Sequence, residues 1–161
     1  MPVSVLGWGK RTLWGTCPTR APPSEFSGEW HDVFPRALAL LFLLGVNRRL
    51  LIVEDDAVLR KHLARLFTRH GFEVVHANTC REAAVALRVE RFDVLLLDVN
   101  LPDGDGLEMV IALDEAARPH HIVVTTAMCT AEVQARATQL RVHRILAKPV
   151  DVQLLLAALA L

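Results

Sequence analysis

Five side chains stand at the ends of short apolar runs. Glu54 and Asp55 follow Leu50-Leu51-Ile52-Val53, Asp98 follows Val94-Leu95-Leu96-Leu97, Thr126 closes Ile122-Val123-Val124-Thr125-Thr126, and Lys148 follows Arg144 to Ala147. Three carboxylates brought within a few ångström repel one another and raise each other's pKa unless a cation lies among them. Oxygen-only ligation of that kind suits Mg²⁺, with water and a phosphate oxygen completing its octahedron. A lysine and a hydroxyl opposite the cation add donors for an anionic group held against it. The set reads as a phosphoryl-transfer site in which the Asp98 carboxylate attacks phosphorus and forms an acyl phosphate, so that positioning and charge neutralisation do most of the work.

These residues can meet only if the apolar runs lie side by side. Runs apolar on consecutive positions are expected where helices cover both faces of a strand. Helical spacing fills the gaps. Val58, Leu59, Leu63, Leu66 and Phe67 follow the first run and end at His70-Gly71, where glycine can take the left-handed conformation that closes helices. Phe72 to His76 is the next strand, and Thr79-Cys80-Arg81-Glu82 has the form of a capping box before Ala83, Ala84, Ala86 and Leu87. Gly106 to Ala117 reads as a helix with Leu107, Val110, Ile111 and Leu113 inward, Ala131 to Leu140 as the next, and Asp151 to Leu161 as the last. The order βαβαβαβαβα predicts an α/β fold, a five-stranded parallel sheet with right-handed crossovers and helices on both faces, doubly wound and flavodoxin-like. Ligands in such folds sit beyond the carboxyl ends of the strands, where the five residues would gather.

Composition narrows the function classes. The 161 residues carry 18 basic and 18 acidic side chains, net charge zero, and 52% are hydrophobic, which excludes a disordered chain. Zero net charge argues against direct binding to nucleic acid or to a membrane surface, both of which need a basic surplus. Cys17, Cys80 and Cys129 are far apart, odd in number and without a C-x-x-C pair, so they suggest neither a disulfide framework nor a zinc knuckle and fit a reducing cytoplasm. The scattered histidines lack metal-ligand spacing.

The chain divides near residue 47. Residues 1–47 hold five of the eight prolines and all three tryptophans, and no periodic apolar pattern appears before the ten-residue run Ala37 to Val46. That run is short of the roughly 20 residues needed to span a bilayer and is misplaced for a signal peptide. The segment reads as a poorly ordered extension, or as an artefact of an early start site, because the chain from Val46 has the look of a domain's beginning. Residues 48–161 form the domain.

Leu-Ile-Val-Glu54-Asp55-Asp56, Leu-Leu-Leu-Asp98-Val-Asn-Leu-Pro102-Asp-Gly-Asp-Gly106, Thr126-Ala127 and Lys148-Pro149, separated by 43, 28 and 22 residues from Asp55 onward, resemble the receiver domain of bacterial two-component response regulators. The resemblance covers residues 48–161 and points to single-domain, CheY-like members. It implies that Asp98 accepts phosphate from a histidine kinase or phosphotransfer protein. It also implies that Asp55 and Asp98 bind Mg²⁺ directly, Glu54 through water, and Asn100 through its backbone carbonyl. Thr126 would move to the phosphoryl group, Lys148 would pair with it, and the Lys148-Pro149 bond would be cis. Asn100 and Met128 would tune hydrolysis of the acyl phosphate, and small Ala127 would leave room for the donor. The protein would be a self-phosphorylating phosphoacceptor with slow hydrolysis rather than a conventional enzyme.

Other polar residues have plainer readings. Asp56 reads as a helix N-cap, Asp103 and Asp105 as turn residues, Thr125 as pointing into the sheet or to the side away from the site, and Arg118, His120 and His121 as a polar loop. Two positions depart from the family: Ile145 stands where an aromatic residue usually changes rotamer, and Arg141-Val142 stands where Gly-Ala is common. The last helix has almost no polar face, so its surplus face is expected to be a homodimer or partner surface, or to be covered by Ala37–Val46. With no residues left for an output domain, output is expected to pass through protein contacts to a downstream target. A phosphorylation-independent adaptor that binds a partner through this helix is the alternative.

Overall fold

The computed structural model describes residues 48–159. The extension over 1–47, the start near Val46 and the covering role of Ala37–Val46 lie outside the described residues.

Five apolar runs become five parallel strands: β1 (Arg48–Val53), β2 (Phe72–Ala77), β3 (Val94–Asp98), β6 (His121–Thr126) and β7 (Arg144–Ala147), in the spatial order β2-β1-β3-β6-β7. Between β3 and the next helix, β4 (Asn100–Leu101) and β5 (Gly104–Asp105) form a small antiparallel hairpin that the apolar pattern does not announce. The helices are α1 (Ala57–Arg69), α2 (Cys80–Val89), α3 (Gly106–Ile111), α4 (Ala131–Gln139) and α5 (Val152–Leu159).

Alternation along the strands splits the core in two. Leu50, Ile52, Val94, Leu96 and Val123 pack with Leu63 and Phe67 of α1 and Leu155, Ala158 and Leu159 of α5. Leu51, Val53, Leu95, Leu97, Ile122 and Val124 face Ala83 and Leu87 of α2, Leu107 and Val110 of α3, and Ala137 of α4. Both faces are therefore covered, as the unbroken apolar runs require. Among the described residues, no helix is long and apolar enough to cross a membrane.

Local chemistry sets the helix ends. The Asp56 carboxylate accepts the backbone N–H groups of Val58 and Leu59 at 2.8 and 3.0 Å, the N-cap expected of it. Gly71 closes α1 with φ of 82°. At the end of α4 the Arg141 N–H donates to Thr138 O at 3.0 Å and the Val142 N–H to Ala137 O at 2.9 Å, the Schellman pattern, with Arg141 in the left-handed position at φ of 53°.

Three expectations are corrected. The third helix stops at Ile111, not Ala117: residues 114–118 fold into tight i to i+3 turns ahead of Pro119, which disfavours helical backbone in the residue before it. Ile111 and Val58 are exposed, and Met109 takes the inward place instead. His121 is no loop residue. It opens β6, is buried, and its Nε2–H donates to the Ala158 carbonyl at 2.7 Å. Arg118 likewise turns back onto the Leu140 carbonyl, while His120 stays exposed in the loop.

Candidate functional site

Sheet pairing runs one residue past the strand ends and so fixes the loops that carry the polar side chains. The Glu54 N–H donates to Ala77 O at 3.2 Å, the Val99 N–H to Thr125 O at 3.0 Å, and the Lys148 N–H to Thr126 O at 2.8 Å. The Lys148-Pro149 peptide is cis.

Glu54 and Asp98 are buried at this edge, with 3% and 4% of their surface exposed, and Asp55 beside them is exposed. One carboxylate oxygen from each of Glu54, Asp55 and Asp98 lies within 4.8 Å of the other two. The Lys148 ammonium donates to Asp98 Oδ2 at 2.6 Å and to both Glu54 oxygens at 2.9 and 2.8 Å. The other Asp98 oxygen, Oδ1, accepts the Asn100 N–H at 3.1 Å. Burial pushes the Glu54 carboxyl above its ordinary range, with the Asp98 charge adding to the rise and the Lys148 hydrogen bonds opposing it. Burial would lower the Lys148 pKa, but the hydrogen bonds and charges of Asp98 and Glu54 outweigh it and hold the ammonium above its usual value.

Thr126 is buried, and its hydroxyl accepts the Met128 N–H at 3.1 Å and faces the Met128 carbonyl at 3.2 Å. Its neighbour Thr125 turns its hydroxyl to Leu97 O at 3.4 Å, into the sheet as expected. Ala127 and Met128 are exposed at the rim, and Ile145 packs, partly buried, against the α2, α3 and α4 side of the core.

The hairpin after Asp98 does more than turn. Asp103 accepts the N–H groups of Cys80 and Arg81 at 2.8 and 3.0 Å, tying the loop to the start of α2. Asp105 caps α3 through the Leu107 N–H at 2.7 Å and pairs with Arg136 of α4 at 2.7 Å. Both carboxyls sit below their ordinary range. For Asp103 the cause is the Arg81 and Cys80 amides; for Asp105 burial acts the other way and is outweighed by Arg136 and the helix amides. Gly106 is required by close approach, because a Cβ there would lie 2.4 Å from the Asp98 carbonyl oxygen. Arg60, which no pattern in the sequence marks, donates from Nη1 to the Glu54 and Asp55 carbonyls at 2.6 and 3.1 Å.

An oxygen-only set of three converging carboxylates has the donor chemistry of a site for a hard divalent cation. With an ammonium and a hydroxyl at the same edge, fold and site define an α/β protein of the receiver class. The chain belongs to the response regulator receiver domain family, whose profile matches residues 50–160, and it is a receiver domain of two-component systems. The swarming motility regulation protein RssB of Serratia marcescens is 36% identical over 100 residues, covering 62% of this chain and 46% of that protein. A Burkholderia pseudomallei response regulator crystallised with a phosphorylated aspartic acid, calcium ion and citrate is 29% identical at a TM-score of 0.65, covering 71% of this chain and 67% of that one. The chemotaxis response regulator CheY4 of Vibrio cholerae is 26% identical at a TM-score of 0.63, over 71% of this chain and 100% of that one. The chain spans about half the length of the curated relatives it matches.

Proposed function

We propose that this receiver is a phosphoacceptor in a two-component phosphorelay, phosphorylated on Asp98 with Mg²⁺ in the cytoplasm and acting on a downstream protein rather than on nucleic acid or a membrane. A histidine kinase or phosphotransfer protein is the donor. The observation that carries the reading is Lys148, whose one ammonium joins the buried Asp98 and Glu54 carboxylates inside the three-acid cluster. Balanced charge, with 18 basic and 18 acidic residues, supports a protein partner.

In the reaction a carboxylate oxygen of Asp98 attacks phosphorus, the bond from phosphorus to the donor's imidazole nitrogen breaks, and that nitrogen leaves with its electron pair and takes up a proton. Hydrolysis later returns inorganic phosphate and the free carboxylate. Asp55, Asp98 and the Asn100 carbonyl would hold Mg²⁺, with Glu54 acting through water, and the bound ion would supply neutralisation of the charge that builds on the transferred group. The Asn100 N–H holds Asp98 Oδ1 and so orients the nucleophile. Lys148 exchanges its contact with Asp98 for the phosphoryl oxygens. Thr126 gives up Met128 to donate its hydroxyl to the same group, and exposed Asn100 and Met128 at the rim set access for hydrolytic water.

Intact mass after incubation with acetyl phosphate and Mg²⁺ tests the reading. One added phosphoryl group that disappears in Asp98→Asn and with EDTA is expected. Folded wild-type protein that gains no mass under these conditions would overturn it.

A further inference from the structure

Behind the acidic loop lies a residue that no motif singled out. Arg60, in the first turn of α1, turns its guanidinium back so that Nη1 donates to two successive backbone carbonyls, Glu54 O at 2.6 Å and Asp55 O at 3.1 Å. Those peptide groups carry two of the three clustered carboxylates. The same stretch is gripped from its other end, where the Asp56 side chain caps α1 and the Asp56 carbonyl accepts the Arg60 N–H at 2.8 Å. The link from β1 to α1 is thus clasped by one cap and by one guanidinium nitrogen shared between two carbonyls.

We propose that Arg60 is a positioning residue of the phosphoacceptor site, fixing the peptide planes of Glu54 and Asp55 so that their carboxylates are presented together toward Asp98. The inference rests on the phosphoacceptor reading above. Carboxylates that repel one another would splay if their backbone were released, and a loop that must be re-ordered on binding loses affinity. A guanidinium near the site also has a plain electrostatic effect of opposite sign, since a positive charge opposes the approach of a cation. Positioning predicts weaker cation binding when Arg60 is removed; charge alone predicts tighter binding.

The test is a Mn²⁺ titration of the full chain followed by electron paramagnetic resonance, comparing wild type, Arg60→Met and Arg60→Lys. Arg60→Met is expected to weaken Mn²⁺ binding roughly tenfold, the low end for partners that orient metal-binding side chains. Arg60→Lys keeps the charge but ends one bond short of the Nη1 position and is expected to weaken it severalfold, which carries the test if Arg60→Met does not fold. Phosphorylation by acetyl phosphate should slow at low Mg²⁺ and return to the wild-type rate at saturating Mg²⁺. Unchanged or tighter Mn²⁺ binding in the folded variants, even with a lower melting temperature, would overturn the assignment. Wild-type protein that neither binds Mn²⁺ nor takes up phosphate would instead bring down the phosphoacceptor reading, and this inference with it.

Discussion

The Lys148 Nζ stands 2.6 Å from Asp98 Oδ2 and within 2.9 Å of both Glu54 oxygens, so that one ammonium bridges two carboxylates from strands far apart in sequence. Lys148→Met would leave both acids buried without a counter-charge. Removing one partner of a buried ion pair costs roughly 3–5 kcal/mol, and the partly exposed lysine places this case at about 3 kcal/mol. Urea denaturation should show that loss in EDTA and a smaller one in excess Mg²⁺. An equal loss in both would show that no cation shares the lysine's role.

Gly106 packs against the backbone of Asp98 itself. Its N–H donates to Val99 O at 2.8 Å, and an added Cβ would meet the Asp98 carbonyl at 2.4 Å and Leu97 Cδ1 at 3.0 Å. Backbone cannot give way as a flexible side-chain end can, so Gly106→Ala is expected to cost about 1–3 kcal/mol and to slow the phosphorylation proposed at Asp98. Chemical denaturation and the acetyl phosphate reaction measure the two effects. A variant of wild-type stability would mean that the loop has room to move.

Arg141 holds the left-handed position at the end of α4 with φ of 53°, a conformation that costs a residue with a Cβ roughly 1–2 kcal/mol. Arg141→Gly removes that strain and adds some unfolded-state entropy, for an expected net gain of up to about 1 kcal/mol. A rise in melting temperature checks it. A clear fall would show that the arginine side chain contributes more than its backbone costs.

Acid should loosen the edge of the sheet opposite the site. The His121 ring is buried, bonded through Nε2 to Ala158 O, and its centroid lies 4.2 Å from that of His143. Burial lowers the pKa of both rings, with His143, Arg48 and Arg144 adding to the effect on His121 and Arg118 to that on His143. A histidine whose pKa is lower folded than unfolded contributes stability that is fully present above the unfolded value, near 6.5, and is lost as pH falls below it. The slope approaches, for each ring, at most about 1.4 kcal/mol per pH unit. Melting temperature measured from pH 7.5 to 5.5 should therefore fall, and His121→Gln, which keeps an N–H donor without titrating, should flatten the decline. A pH-independent profile in wild type would contradict this.

Much of this was legible in the sequence because it was written in local chemistry. Unbroken apolar runs announced strands covered on both faces, and Asp56 announced its cap. The polar residues at strand ends announced the edge where Glu54, Asp98 and Lys148 meet. What stayed hidden depends on where side chains reach across the fold. His121 looked polar in sequence but finds its partner in a helix carbonyl 37 residues away. Asp103 looked like a turn residue and its carboxylate accepts N–H groups at the start of α2, and no pattern marks Arg60. The hairpin strands, two residues each, are too short to show any alternation.

The most direct test of the central claim locates the phosphoryl group. Phosphorylated protein reduced with borohydride converts an aspartyl phosphate to homoserine, which peptide mass spectrometry then assigns to a position. The account predicts homoserine at position 98 and aspartate at 55. An unreduced Asp98, with the modification elsewhere or absent, would contradict it.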